Sequence, residues 1–138
     1  MWHLVLELCE KGPLNGLLRT ARNAGQDAIA FGLPQLLVYA GGAAAGMVHM
    51  AGLGFVHRDL AARNVLIDGK DNAKIADFGL SREQTYGAYT TVTARPMPVK
   101  WMSPEAIEYT RFTTASDVWR FAVLVWEVLS MAEMPNTP

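Results

Sequence analysis

At 138 residues, 51% of them hydrophobic, the chain is long enough for one domain with a core of its own. A net charge of −1, with no basic run, excludes the dense positive face that a nucleic acid or other polyanion would select. The single cysteine, Cys9, excludes an internal disulfide, cannot build a zinc site without partners, and fits a reducing cytoplasmic compartment.

Trp2 to Leu8 is apolar and rich in strand formers, so it reads as a strand, ended by Gly12-Pro13. Glu7, Glu10 and Lys11 stand where a secretory leader would be apolar, so no signal peptide is expected. Pro13 to Arg22 reads as a short helix with Leu14, Leu17 and Leu18 on one face, and Asn23 to Gly32 as a loop. A longer helix is expected from Pro34, which suits a first turn, to about Met50. Phe31 to His57 carries no Asp, Glu, Lys or Arg and contains the GxxxG pattern Gly42 to Gly46. A membrane span with a dimerising face is one reading. A helix buried all round in a core is the other. It is preferred because Pro34, Gln35 and His49 interrupt the stretch, Gly52 and Gly54 break its end, and no basic cluster flanks it.

Val65-Leu66-Ile67 and Ala73-Lys74-Ile75, either side of Asp68-Gly69-Lys70-Asp71-Asn72, spell a hairpin. Phe78 to Lys100 has no sustained period and reads as a long loop, a length that in compact domains usually serves function. Ser103-Pro104-Glu105 is a helix start with a cap, a first-turn proline and an acid at the positive dipole end. Thr114-Ala115-Ser116-Asp117 starts a second helix with a capping-box pattern. In it Val118, Phe121, Ala122, Val125, Trp126 and Leu129 recur at helical spacing, and Pro135 stops it.

Three segments in order carry the chemistry: His57-Arg58-Asp59-Leu60-Ala61-Ala62-Arg63-Asn64, then Asp77-Phe78-Gly79 after the hairpin, then Met102-Ser103-Pro104-Glu105. Each tripeptide alone is weak. Together they resemble the protein-kinase signature set over nearly the whole chain. Ala61-Ala62-Arg63 resembles the tyrosine kinase group, where serine/threonine kinases read Lys-Pro-Glu. Gly12 to Asn15 and Phe55 to Asn64 also resemble the spleen tyrosine kinase family, although the spacing of Tyr86 and Tyr89 differs.

The resemblance implies an α+β fold, a kinase-like large lobe that is mainly helical with short β-hairpins and incomplete at both ends. Residues 1–12 would be the hinge strand and hinge. Residues 13–138 would be the large lobe, cut after the Asp117 helix. It implies transfer of the γ-phosphoryl group of ATP to protein tyrosine with Mg2+, a reaction that needs positioning and charge neutralisation more than covalent work. Asp59 would accept the hydroxyl proton, with Arg63 beside it and the substrate phenol. Asn64 and Asp77 would offer magnesium the oxygen ligands a hard cation prefers. Leu6, as gatekeeper, with Glu7, Cys9 and Leu66 would hold the adenine. Pro98, Val99, Lys100 and Trp101 would form the peptide platform. A phosphate on Tyr86 or Tyr89 could pair with Arg58 and Arg82. His57, Phe78, Glu105 and Asp117 would be structural, Asp117 bracing the loop through backbone N–H groups.

This sequence shows no Gly-rich loop, no strand lysine and no helix glutamate to pair with it, so the chain alone is expected to be inactive. Arg120 and Ala122 stand where the family usually has Ser and Gly, and Ala132 and Asn136 where it has Gly and an aromatic. Arg120 puts a long cation on a helix surrounded by protein. The alternative is a non-catalytic, pseudokinase-like binding module. Expected partners are protein tyrosine substrates, with no nucleic acid, no membrane span in this chain and an open oligomeric state. The expected location is cytoplasmic, or the cytoplasmic portion of a membrane receptor.

Overall fold

A computed structural model describes residues 1–77 and 98–135, and the backbone of 82–83 and 89–90. The chain runs β1 (Gly12–Pro13), α1 (Leu14–Asn23), α2 (Ala28–Phe31), α3 (Leu33–Gly52), β2 (Phe55–Val56), β3 (Val65–Ile67) and β4 (Ala73–Ile75). It continues through β5 (Arg82–Glu83), β6 (Tyr89–Thr90), α4 (Pro104–Tyr109), β7 (Arg111–Phe112) and α5 (Thr114–Leu129). The strands pair antiparallel as a β1-β3-β4 sheet and two short ribbons, β2-β5 and β6-β7. Mainly helical with small sheets, this agrees with the expected large-lobe architecture.

The core forms where α1, α3 and α5 meet the hairpin. Leu14 and Leu18 of α1, Leu36, Tyr39 and Ala43 of α3, Val65 and Ile67 of β3, and Leu124 and Val128 of α5 pack together with Leu60. A second cluster joins Val56, Met102, Ala106 and Phe112. The GxxxG pattern has a packing cause. A Cβ at Gly46 would lie 2.6 Å from Ile75 Cγ1, and one at Gly42 would lie 3.0 Å from the Ala73 Cβ, so the glycines let α3 rest directly on β4. No helix among the described residues is long and apolar enough to cross a membrane.

Several expectations are corrected. Trp2 to Leu8 forms no strand: residues 1–8 are exposed, and no described strand pairs with them. A lone strand leaves its N–H and C=O groups to water, so propensity alone does not fix it. The segment from Asn23 to Gly32 contains α2, one turn started by Asp27, whose carboxylate accepts from Ala30 N at 2.8 Å. Ser103 occupies the cap position of α4, but its buried hydroxyl makes no cap bond, which leaves Pro104 to start the helix.

The cap of α5 is Thr113, one residue earlier than expected, in a reciprocal box with Ser116. That helix ends at Leu129, not near Pro135, because the backbone turns left-handed at Met131 and Ala132. The buried face of α5 is not its most apolar one. Asp117, Arg120, Leu124, Glu127 and Val128 are inside, while Val118, Ala122, Trp126 and Leu129 of the helically spaced apolar residues are exposed.

Candidate active site

The loop from His57 to Asn64 lies along α5, and α5 holds it at two points. Asp117, in the first turn, accepts from His57 N at 2.7 Å and Arg58 N at 3.0 Å. Glu127 accepts from Ala62 N at 2.9 Å. Ten helical residues span about 15 Å, which matches the reach of four or five extended loop residues. The loop is therefore held near both ends by carboxylates of α5. Arg58 sits at φ 72, a left-handed conformation that costs a side-chain-bearing residue energy, held in place by the Asp117 bonds. Its guanidinium is buried 4.3 Å from the centre of the Phe112 ring.

His57 locks the loop to the end of β4. Its Nδ1 accepts from Asp59 N at 3.1 Å, so Nε2 carries the proton and donates to Ala76 O at 2.9 Å. Ala76 N in turn donates to Asn64 O at 2.8 Å. Asp77, the next residue, is exposed and left-handed at φ 56, and these bonds set it beside Asn64.

Asp59 is the centre of this arrangement. Its Oδ1 accepts from Arg63 Nη2 at 2.7 Å, and its Oδ2 from Asn64 Nδ2 at 3.1 Å. Asn64 Nδ2 also donates to the Asp59 carbonyl at 2.7 Å, which fixes the amide orientation and turns Asn64 Oδ1 away, with no donor on it among the described residues. An amide oxygen and the neighbouring Asp77 carboxylate are a donor set that suits a hard, oxygen-seeking cation such as Mg2+. The Arg63 guanidinium lies 4.6 Å over the Trp101 ring, and Trp101 Nε1 donates to Glu127 Oε2 at 2.9 Å.

Two buried α5 side chains at this site escaped the sequence reading or were read only in part. Glu127 carries both Ala62 and Trp101, and the only sequence signal was an acid four residues after Val123 in an apolar helix. Arg120 is 1% exposed and puts Nη1 3.6 Å from Asp59 Oδ1, while among the described residues neither Nη1 nor Nη2 has a hydrogen-bond partner. Desolvation lowers its pKa to about 10, offset partly by Asp59 and Asp117, so it stays charged at neutral pH. Desolvation also raises Asp117 and Glu127 above the ordinary carboxylate range, although their N–H donors pull the other way.

The remaining expected residues fall as follows. Leu6 and Glu7 lie in the exposed leading segment, where Glu7 approaches Lys74 at 3.5 Å. Cys9 is half-buried in a turn closed by Gly12 N to Cys9 O at 3.1 Å, which Lys11 N ties to Ile67 O at 3.0 Å, beside Leu66 in β3. Burial, then Glu7, raises the Cys9 thiol pKa. Pro98 leads a single 3-10 turn, Val99–Trp101, with Val99 and Lys100 exposed and Trp101 buried. Glu105 has no ion pair among the described residues. Phe78 and Tyr86 lie outside the described residues, as do the side chains of Arg82 and Tyr89, whose backbones pair with Val56 and Phe112.

The sequence matches the family model for protein tyrosine and serine/threonine kinase over residues 1–138. It is 47% identical over 135 residues to ephrin type-A receptor 8 of Homo sapiens and 46% identical over 134 residues to ephrin type-A receptor 7 of Gallus gallus. It is 42% identical over 136 residues to ephrin type-B receptor 2 of Gallus gallus. Each alignment covers 96% of this chain and 13% of the relative. These relatives lend no support to the spleen tyrosine kinase subfamily. With the loop, the hairpin and α5 arranged around Asp59 and the family match running the full length, the chain belongs to the protein tyrosine and serine/threonine kinase family, as a stretch of its catalytic domain.

Proposed function

We propose that the chain provides the large-lobe half of a protein tyrosine kinase site, in a larger polypeptide whose kinase part lies in the cytoplasm. The observation that carries this is the Asp59–Arg63–Trp101 alignment, in which one guanidinium bonds the Asp59 carboxylate at 2.7 Å and stacks 4.6 Å over the indole. A phenol entering there would lie against Arg63 with its O–H towards Asp59. The phenolic oxygen bonds the γ-phosphorus of ATP, the bridging P–O bond breaks to leave ADP, and the proton goes to Asp59. Bound Mg2+ would neutralise phosphate charge at the oxygens of Asn64 and Asp77. Leu6, Glu7, Cys9 and Leu66 would face the adenine, and Pro98 to Trp101 would seat the peptide. Phosphorylation of Tyr86 or Tyr89 would add an anion for Arg58 and Arg82 to order the segment between.

One observation favours a second reading, a binding module that does not turn over. Among the described residues the one carboxylate within ion-pair distance of Arg120 is Asp59, so the cation competes with an incoming O–H for that carboxylate. A chimera decides between them: residues 1–138 replace the aligned stretch of the human ephrin type-A receptor 8 kinase domain. Under the kinase reading the chimera phosphorylates tyrosine peptides in preference to serine peptides, and Asp59→Asn abolishes this. A folded chimera without turnover that gains it on Arg120→Ser supports the binding module for the natural chain. No turnover in either form removes the kinase reading.

A further inference from the structure

The face of α3 turned away from the core is apolar along its whole length. Pro34, Val38, Gly41, Ala45, Val48 and Gly52 recur on it at helical spacing, and all six are exposed. Val38 is 53% exposed and Val48 73%. No Asp, Glu, Lys or Arg lies between Phe31 and His57, so no charged side chain of the helix shields them. Apolar surface of this extent marks an interaction site more often than a solvated one. The glycines of α3 divide in the same way. Gly42 and Gly46 face β4, where a Cβ would meet Ala73 and Ile75. Gly41 has no such cause: a Cβ there would meet nothing within 4 Å, and its φ is not left-handed. Glycine is a poor residue for a helix interior, so nothing within the described residues accounts for it.

We propose that this face joins two copies of the chain, their α3 helices crossing antiparallel about a two-fold axis at Ala43. The face itself selects a second copy as the occupant. The steps between the six residues are 4, 3, 4, 3 and 4, the same read from either end. An antiparallel copy therefore sets Gly41 on Ala45, Val38 on Val48 and Pro34 on Gly52, each pair twice. The smallest pair falls at the crossing, where the backbones come closest, and the valines fill the space on either side. A two-fold contact requires this kind of self-complementarity. The charge agrees, because a face without ions meets its own copy with no like-charge repulsion. The size agrees as well. Twenty residues of helix span about 30 Å, and two such faces bury on the order of 1,000 Å², the area at which specific interfaces begin.

Analytical ultracentrifugation of the chain from about 1 to about 100 μM should follow a monomer–dimer equilibrium with a micromolar Kd. Gly41→Glu replaces a poor helix residue with a good one, so the fold is kept, but it puts two carboxylates into the crossing. It should weaken the dimer at least about a hundredfold. Cross-linking reads the direction of the pair. In a Cys9→Ser background, a short bismaleimide should join an equimolar mixture of Val38→Cys and Val48→Cys, and join either variant alone at least about tenfold less, because the antiparallel arrangement sets 38 against 48 and holds like positions roughly 15 Å apart along the axis. A chain that stays monomeric, a dimer that Gly41→Glu leaves unchanged, or each cysteine variant linking to itself as readily as to the other overturns the proposal. A monomer that floats with phosphatidylcholine vesicles also overturns it and assigns the face to lipid.

Discussion

The two long faces of α5 are built by opposite rules. The face towards the loop buries Asp117, Arg120 and Glu127, residue types that burial ordinarily penalises. The other face exposes Val118 at 62%, Trp119 at 48% and Leu129 at 45%. Inside the helix, burial is decided by unmet backbone donors: Asp117 and Glu127 go in because His57, Arg58 and Ala62 point N–H groups at them. Arg120 goes in on the same face with no such complement. Three charges on one helix face thus divide into two that the loop needs and one that it must accommodate.

Asp117 should show the largest effect. Its two oxygens receive different donors, so Asp117→Asn sets an amide N–H against one backbone N–H whichever way it turns. A loss of about 3 kcal/mol is expected, read from the urea midpoint. Released from its anchor, Arg58 should leave its left-handed conformation, and amide exchange at residues 57–59 should accelerate. A loss below about 1 kcal/mol would mean that Asp117 is not what holds the loop.

Arg120 should move the other way. Arg120→Met removes a buried cation with two unsatisfied nitrogens and leaves Asp59 paired with Arg63, so stability should rise by about 2 kcal/mol at neutral pH. From about 10 up to the ordinary guanidinium range the folded chain holds fewer protons at Arg120 than the unfolded chain, so native stability climbs with pH there. The advantage of the Met variant should be flat below about pH 9 and shrink above pH 10. A Met variant less stable than the native chain would show that the Asp59 pair outweighs desolvation.

The elements that a local pattern specifies were legible from the residues: α1, α3 and the hairpin carry their period, breakers and turn within one stretch of chain. The motifs made Asp59, Arg63, Asn64 and Asp117 legible through resemblance; the geometry brings the first three within hydrogen-bond reach of one another and sets Asp117 on the backbone of His57 and Arg58. What was not legible depended on partners distant in sequence. The buried face of α5 was not legible because periodicity reports where apolar residues are, not which face meets a loop sixty residues earlier. Trp2 to Leu8 had strand propensity but no strand to pair with. Glu127 was invisible because an acid in an apolar helix reads as a solvated face until Trp101 and Ala62 are placed on it.

Ala132 offers a smaller gain. It sits at φ 61, in a conformation that costs residues with a Cβ about 1 kcal/mol and costs glycine nothing. The sequence resemblance expects glycine there. Ala132→Gly should stabilise the chain by about 0.5–1 kcal/mol, less the extra freedom glycine has when unfolded. A loss would indicate that the buried methyl packs usefully against the core it joins.

Glu127→Gln should change stability least, and for a reason that separates it from Asp117. Both donors to Glu127, Ala62 N and Trp101 Nε1, end on the same oxygen, Oε2. A glutamine can place its carbonyl oxygen there and turn its amide away, which keeps both bonds and removes a desolvated charge. The change should stay within about 1 kcal/mol at neutral pH, whereas Glu127→Ala strands two buried donors and should cost about 3 kcal/mol. Burial raises the folded-state pKa of Glu127, so over the window just above the ordinary carboxylate range the folded chain holds more protons than the unfolded one. Native stability therefore falls as pH rises through that window, and the glutamine variant lacks this component. The difference between the two unfolding curves should move in favour of glutamine as the pH rises from 4 towards neutrality. A difference that stays flat, or moves in favour of glutamate, would mean that the donors of Ala62 and Trp101 outweigh desolvation, and that both carboxylates of α5 stabilise the loop as anions.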